Sequence, residues 1–226
     1  MRGAFGQAIS LLVTGDSEVW FITWTSLRFS LSSALLACVP GIPLGVLIAL
    51  TKFRGRRALL AILTTLMALP TVVVGLVVYS LISRSGPLGE LGLLFTPAAV
   101  VIGQAILALP IVISMTASGL SRIDPLFPEV LTTLGASRSG VFWMTLREAR
   151  GAVLSASLAA FGRVVGEVGA AMMLGGNIRG YTRTITTAIA LETSKGEFEL
   201  GLALGIILMI TSLLVNALLH LVVKHE

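Results

Sequence analysis

Arg163 and Glu167 stand four residues apart inside a long apolar stretch, the one place in the sequence where two opposite charges interrupt hydrophobic residues at helical spacing. That spacing puts both on one face of a helix. In a bilayer each isolated charge costs about 2.5–3.5 kcal/mol on insertion scales, so the two are expected to pair, to face a cavity, or both, and to point into a bundle interior. One reading makes Arg163 a positive element along an anion pathway, with Glu167 limiting how tightly a divalent anion is held. A conduit needs such weak sites, because an ion bound firmly cannot leave. The other reading makes the pair a structural lock.

The remaining reactive side chains form no catalytic set. His220 is alone near the end of the last apolar stretch, His225 is near the chain end, and Glu167 has no His or acidic neighbour at ligand spacing. Cys38 is the only cysteine, which excludes an intrachain disulfide and a cysteine-cluster metal site. The glycine-rich phosphate loop ending in Lys-Ser or Lys-Thr is missing as well. No catalytic residue, metal ligand or cofactor site is therefore expected in this chain, and an intramembrane enzyme is disfavoured.

Lipid is the solvent that can hold these residues. Of 226 residues 55% are hydrophobic and 12% charged, with mean hydropathy +0.97, whereas soluble domains carry about 25% charged residues. A bilayer admits helix bundles or closed barrels, and the apolar runs here are continuous rather than alternating, over roughly the twenty residues that cross as helix. The expectation is an all-α polytopic membrane protein, one transmembrane domain over residues 1–226, with spans near 23–50, 59–82, 97–120, 151–174 and 200–223.

Charge sets the orientation. Lys52, Arg54, Arg56, Arg57, Arg122, Arg138, Arg147, Arg150 and Lys224 fall on one side of such a five-span arrangement, against Arg2, Arg84, Arg179, Arg183 and Lys195 on the other. The positive-inside rule places the first group in the cytoplasm, the amino terminus outside and the carboxyl terminus inside. The net charge of +5 is thus a topology signal and not a nucleic-acid patch. Residues 1–13 lack the regions of a cleaved signal peptide, and Phe5, Ala8, Ile9 and Leu12 fit a short interfacial helix. Trp20, Trp24 and Arg28 suit an interfacial belt, with Arg28 reaching to headgroups.

Pro40 and Pro43 fall in the first span, Pro70 in the second and Pro110 in the third, so kinks are expected in that half of the chain, as ordinary packing or as hinges beside a pathway. Gly41 and Gly45 have the four-residue spacing that lets helices approach closely, which points to packing ahead of gating.

The loop 121–150 carries the functional signal. It contains Glu129-Val130-Leu131, three residues, then Gly135-Ala136-Ser137-Arg138, and it keeps Leu134, Phe142, Trp143 and Leu146, which argues against disorder. In this it resembles the permease subunits of ABC importers, whose coupling loop reads Glu-Ala-Ala, three residues, Gly, nine residues, Ile, one residue, Leu-Pro. Glu129 and Gly135 match; the Ala positions hold Val130 and Leu131, the Ile position Thr145, and the Leu-Pro position Arg147-Glu148. The resemblance implies a type I importer permease fold whose loop makes two short helices bent at Gly135 and docks on a cytoplasmic ATPase through Leu131, Leu134 and Phe142. A second segment, Gly175-Gly176-Asn177-Ile178-Arg179-Gly180-Tyr181-Thr182-Arg183 continuing through Thr187-Ala188-Ile189-Ala190-Leu191-Glu192-Thr193, is similar to the oxyanion branch and closest to its tungstate type. Molybdate permeases share the Gly-Asn-Ile core.

These resemblances imply a cytoplasmic-membrane importer half, bacterial or archaeal. Its partners are a second copy of the chain, two cytoplasmic ATPase subunits that bind ATP and Mg, an extracytoplasmic oxyanion-binding protein, and lipid; nucleic acid is not among them. Asn177, Arg179 and Arg183 are then candidate donors to an oxyanion or to the docked delivery protein, or simply parts of a polar loop. A passive channel or structural membrane subunit is the competing class, and it has no reason to carry the loop 121–150.

Overall fold

The computed structural model describes residues 2–51, 53–124 and 126–224, and among them every regular element is helical. Of the residues used for the charge asymmetry, Lys52 lies outside the described residues, as do His225 and the side chains of Arg2 and Lys224. In chain order the α-helices are α1 (Arg2–Thr14), α2 (Ser17–Leu50), α3 (Arg56–Met67), α4 (Thr71–Ile82), α5 (Pro97–Leu120), α6 (Phe127–Thr133), α7 (Arg138–Glu148), α8 (Arg150–Val165), α9 (Gly169–Gly175), α10 (Ile185–Lys195) and α11 (Phe198–Lys224).

Three of these, α2, α5 and α11, are long and apolar enough to cross a membrane alone, and the pairs α3/α4 and α8/α9 give five passages if each bent pair counts as one. Their order follows from what packs together. Phe29, Val100 and Ala171 make one cluster, and Val46, Leu120 and Ala149 another. Since 29 and 46 lie on α2, 100 and 120 on α5, α2 and α5 run parallel, while the chain through α8 and α9 runs the opposite way. The segments 51–55 and 121–149 therefore share one end of the bundle, called here the loop end.

The α2/α5 seam explains why the prolines of the first span do not break it. Ser30, Ser33, Ala34, Ala37, Cys38, Gly41 and Gly45 form a buried stripe, and a Cβ on Gly41 or Gly45 would stand 2.8 Å from Val112 Cγ1 or 2.7 Å from Thr116 Cβ. Two backbones pressed this closely hold α2 continuous through Pro40 and Pro43, and α5 through Pro110. The prolines of the first and third spans therefore do not interrupt their helices, and the two sharp bends follow α3 and α8. Pro70 opens α4 after a 95° bend, but the other sharp bend, 65° between α8 and α9, contains no proline. Its cause is polar and belongs to the site.

Side-chain caps fix the starts of α2 and α5. Asp16 accepts from Glu18 and Val19 amides at 2.9 and 3.1 Å, and Thr96 from Ala99 at 3.3 Å with Pro97 at the first helical position. Helix α1 packs on α11, where Leu11 and Leu12 join Val19, Ile22, Ile185, Ala188 and Leu204. Large apolar side chains on α2 and α11, among them Leu31, Leu35, Val39, Met209, Leu213 and Leu218, point outward, the inverse of a water-soluble surface.

Candidate functional site

Glu167 occupies the break between α8 and α9 rather than a continuous helix face. Helix α8 ends at Val165; the Val164 carbonyl accepts from the Glu167 amide at 3.1 Å and from Gln104 Nε2 of α5 at 3.4 Å. Glu167 Oε1 accepts from the Ala170 amide at 3.1 Å and so caps α9, Oε2 pairs with Arg163 Nη1 at 3.0 Å, and the Glu167 carbonyl accepts from Thr186 Oγ1 of α10 at 2.6 Å. Backbone groups freed inside a membrane must find partners, and here α5, α10 and the carboxylate supply them. The Glu167 side chain is 2% exposed and that of Arg163 35%. The carboxylate is thus a built-in part of the junction, and Arg163 keeps one side open.

At the end of the bundle opposite the loops, the arginines of the second sequence segment are engaged internally. Arg183 is buried, with Nη1 at 3.5 Å from both Glu18 Oε1 of α2 and Glu192 Oε1 of α10; Arg179 pairs with Glu18, and Lys195 Nζ sits 3.3 Å from Glu192 Oε1. Asn177 takes φ 51°, which its short polar side chain tolerates, and donates from Nδ2 to the Thr187 carbonyl at 3.1 Å. The sequence reading missed Glu18, which is 165 residues from Arg183; only an odd acidic residue beside an aromatic belt hinted at it. Glu192 is 4% exposed and serves two cations. Replacing it with Gln is expected to cost about 2–3 kcal/mol, since a buried charge loses its partner, while Glu18→Gln, partly exposed, costs about 1 kcal/mol. Thermal unfolding midpoints in detergent rank the two; equal shifts would refute the burial argument.

The loop 121–150 is two helices, α6 and α7, with Gly135 between them at φ 89° and no atom within 4 Å of where a Cβ would be. Conformation, not space, asks for glycine there. Ser137 caps α7, accepting from the Gly140 amide at 3.2 Å; its neighbours Ala136 and Arg138 complete the turn into α7, and Glu129 lies in the first turn of α6. Leu126, Val130, Leu134, Trp143 and Met144 face outward, Leu134 at 79% exposure. Leu131 instead lines an open cleft of about 540 Å³ with Phe127, Met144, Arg147, Glu148 and Arg150. Phe142 turns inward onto the cluster of Val46, Leu120 and Ala149 and meets Trp143 edge-on at 5.5 Å. Its place is packing the loop against the bundle, and Trp143 takes the outward position.

Among the described residues no group of three or more His, Cys, Asp or Glu side chains is placed to hold a metal ion. A helical bundle with three to five candidate membrane passages, and a pair of surface helices at one end, has the fold of an importer permease. A chain of the inward-facing methionine ABC transporter MetNI superposes with TM-score 0.71 at 19% identity, covering 89% of this chain and 93% of that one. Residues 41–225 match the family of binding-protein-dependent transport system inner membrane components, and the chain belongs to it. It is 38% identical over 216 residues to the tungstate uptake system permease protein of Peptoclostridium acidaminophilum, covering 96% of this chain and 95% of that one. To the protein of the same name in Campylobacter jejuni it is 42% identical, covering 96% and 90%. The molybdenum transport system permease protein of Mycobacterium bovis is more distant, 28% identical over 91% of this chain and 80% of that one.

Proposed function

We propose that this chain is the membrane-spanning half of an ATP-driven importer whose cargo is tungstate. Two copies form the pathway; two separate ATPase subunits, holding ATP and Mg, dock at the loop end; and a tungstate-binding protein delivers its anion at the opposite end, where Glu18, Arg179 and Arg183 lie. The loop end is then cytoplasmic, in keeping with its arginines, and the amino terminus is outside. The observation that carries this reading is the loop itself: two helices bent at Gly135, with the apolar side chains of Val130, Leu134 and Trp143 exposed at its surface. Exposed apolar side chains on a helical loop are what a docking surface requires. ATP binding would draw two such loops together and move the passages as rigid bodies.

The test is uptake of tungstate into vesicles containing this chain, its ATPase and its delivery protein. Uptake is expected to need ATP and to fall about tenfold or more with Leu134→Asp or Glu129→Arg, one well-placed docking side chain being worth more than 1.4 kcal/mol. Both residues are exposed, so folding is expected to survive. Normal uptake in both variants would refute the docking role of the loop. Molybdate is the second reading, favoured by the more distant relatives; competition at equal concentrations decides between the two anions.

A further inference from the structure

The two broken passages break side by side. A Cβ on Gly169, the first residue of α9, would stand 2.7 Å from Val72 Cγ2 and 3.1 Å from Thr71 Oγ1, the first residues of α4. Non-helical backbone at membrane depth survives only where protein covers it or where it lines water. Among the described residues of this chain nothing covers the break after α8: Gly166 is exposed, with nothing within 4 Å of a Cβ position, and Val168 beside it is exposed too. Val164 is bonded to Gln104, the eighth residue of α5, so this notch lies about 10 Å inside the helical layer at 1.5 Å per residue.

Arg163 opens onto the same side. Positions 163 and 166, three apart, share a helix face, and the Arg163 side chain is 35% exposed. A guanidinium has five N–H donors; one bond, to Glu167, is all it makes among the described residues. A charge with unused donors does not face hydrocarbon, so the side of the bundle holding Arg163 and Gly166 faces a wet passage. Glu167 is spent on the Ala170 amide and on Arg163. It holds the guanidinium by one nitrogen and offsets its charge, leaving the other donors free.

We infer that Arg163 and the open notch at Gly166 form a transit contact for a divalent tetrahedral oxyanion, with Glu167 as the positioning residue that keeps the contact weak enough to release. This rests on the oxyanion reading above. The fork of a guanidinium matches two oxygens of such an anion. The partial neutralisation by Glu167 supplies the loose hold that conduction needs.

Two variants separate transit from folding. Arg163→Gln removes the donors' charge but strands Glu167; the double variant Arg163→Gln with Glu167→Gln leaves no charge in the junction and retains an oxygen to cap Ala170. Whole complexes in vesicles are scored for ATP-dependent tungstate uptake, with assembly followed by size exclusion and coupling by stimulated ATP hydrolysis. The double variant is expected to assemble and hydrolyse ATP while uptake falls about ten- to hundredfold, the worth of a charge-assisted hydrogen bond; Arg163→Gln alone, which leaves the buried Glu167 carboxylate unpaired, is expected to lower recovery of the complex as well. Uptake in the double variant within about twofold of wild type would make Arg163 only the counter-ion of Glu167 and overturn the assignment, while the oxyanion reading stands. Failure of the double variant to assemble overturns it equally, because the charges are then needed to fold. Absent uptake by the wild-type complex overturns the oxyanion reading and this contact with it.

Discussion

Gly45→Leu is expected to prevent assembly of the bundle, with a loss of about 3 kcal/mol or more, at the upper end of what overpacking costs. A Cβ at position 45 would stand 2.7 Å from Thr116 Cβ, 2.9 Å from its Cγ2 and 3.0 Å from the Ile113 carbonyl oxygen. The last of these is backbone in the middle of α5, so relief requires the whole helix to withdraw and the seam from Ser30 to Gly45 to open. Total stabilities of folded domains run to about 5–15 kcal/mol, which leaves little margin. Gly41→Leu is expected to cost about 2–3 kcal/mol, because Val112 Cγ1 at 2.8 Å and Leu109 Cδ1 at 3.4 Å can turn aside while Val112 Cβ at 2.9 Å moves only with the α5 backbone. Leu47→Ala, on the outward face of α2, changes stability by about 0.5 kcal/mol or less. Recovery of monodisperse protein and its thermal midpoint in detergent measure all three. A Gly45 variant that is recovered and melts like wild type would show that the α2/α5 contact is looser than these distances.

The same seam shows what the sequence makes legible and what it hides. Apolar runs report the solvent, so the membrane setting and the helical class follow from hydropathy, and Gly41 with Gly45 follows from spacing. Proline is a weaker guide. Its effect depends on whether neighbours hold the helix together, and the α5 contact does so for Pro40 and Pro43 but not for Pro70. The break at Gly166 is written in the opposite way. Arg163 and Glu167 at four-residue spacing look the same whether the helix continues or stops, and the groups bonded to the break, Gln104 and Thr186, come from other helices, α5 and α10.

Contacts of that kind account for the other differences. For Arg179 and Arg183 the sequence leaves open whether they are donors to a ligand or parts of a polar loop, because their partners Glu18 and Glu192 lie on other helices, one of them at the far end of the chain. Phe142 and Trp143 are adjacent and both apolar, and only the register of α7 against Val46 and Leu120 determines which one turns inward. Gly135 was readable because a local backbone need, φ 89° between two helices, expresses itself in one residue type. Local conformation and solvent are encoded locally, whereas pairing between passages is not.

Glu167 is where those two kinds of information meet, and substitutions there should separate them. Glu167→Ala removes the cap on Ala170 and the partner of Arg163 together, and is expected to cost about 3 kcal/mol, the sum of a lost helix cap, the loss of a partner for the partly exposed Arg163, and the void left by a buried side chain. Glu167→Gln keeps an oxygen for the Ala170 amide and loses only the charge. Because Arg163 is 35% exposed, part of that loss is met by water at the open side, and the expected cost is about 1–2 kcal/mol. The ordering Ala well below Gln, and Gln modestly below wild type, is the signature of a carboxylate that first builds the junction and only then answers the charge. Thermal midpoints in detergent check it. If Ala and Gln lower the midpoint equally, the cap contributes nothing and the ion pair alone holds α8 to α9. If neither lowers it, the junction is held by Gln104 and Thr186, and the break belongs to the backbone contacts between passages rather than to Glu167.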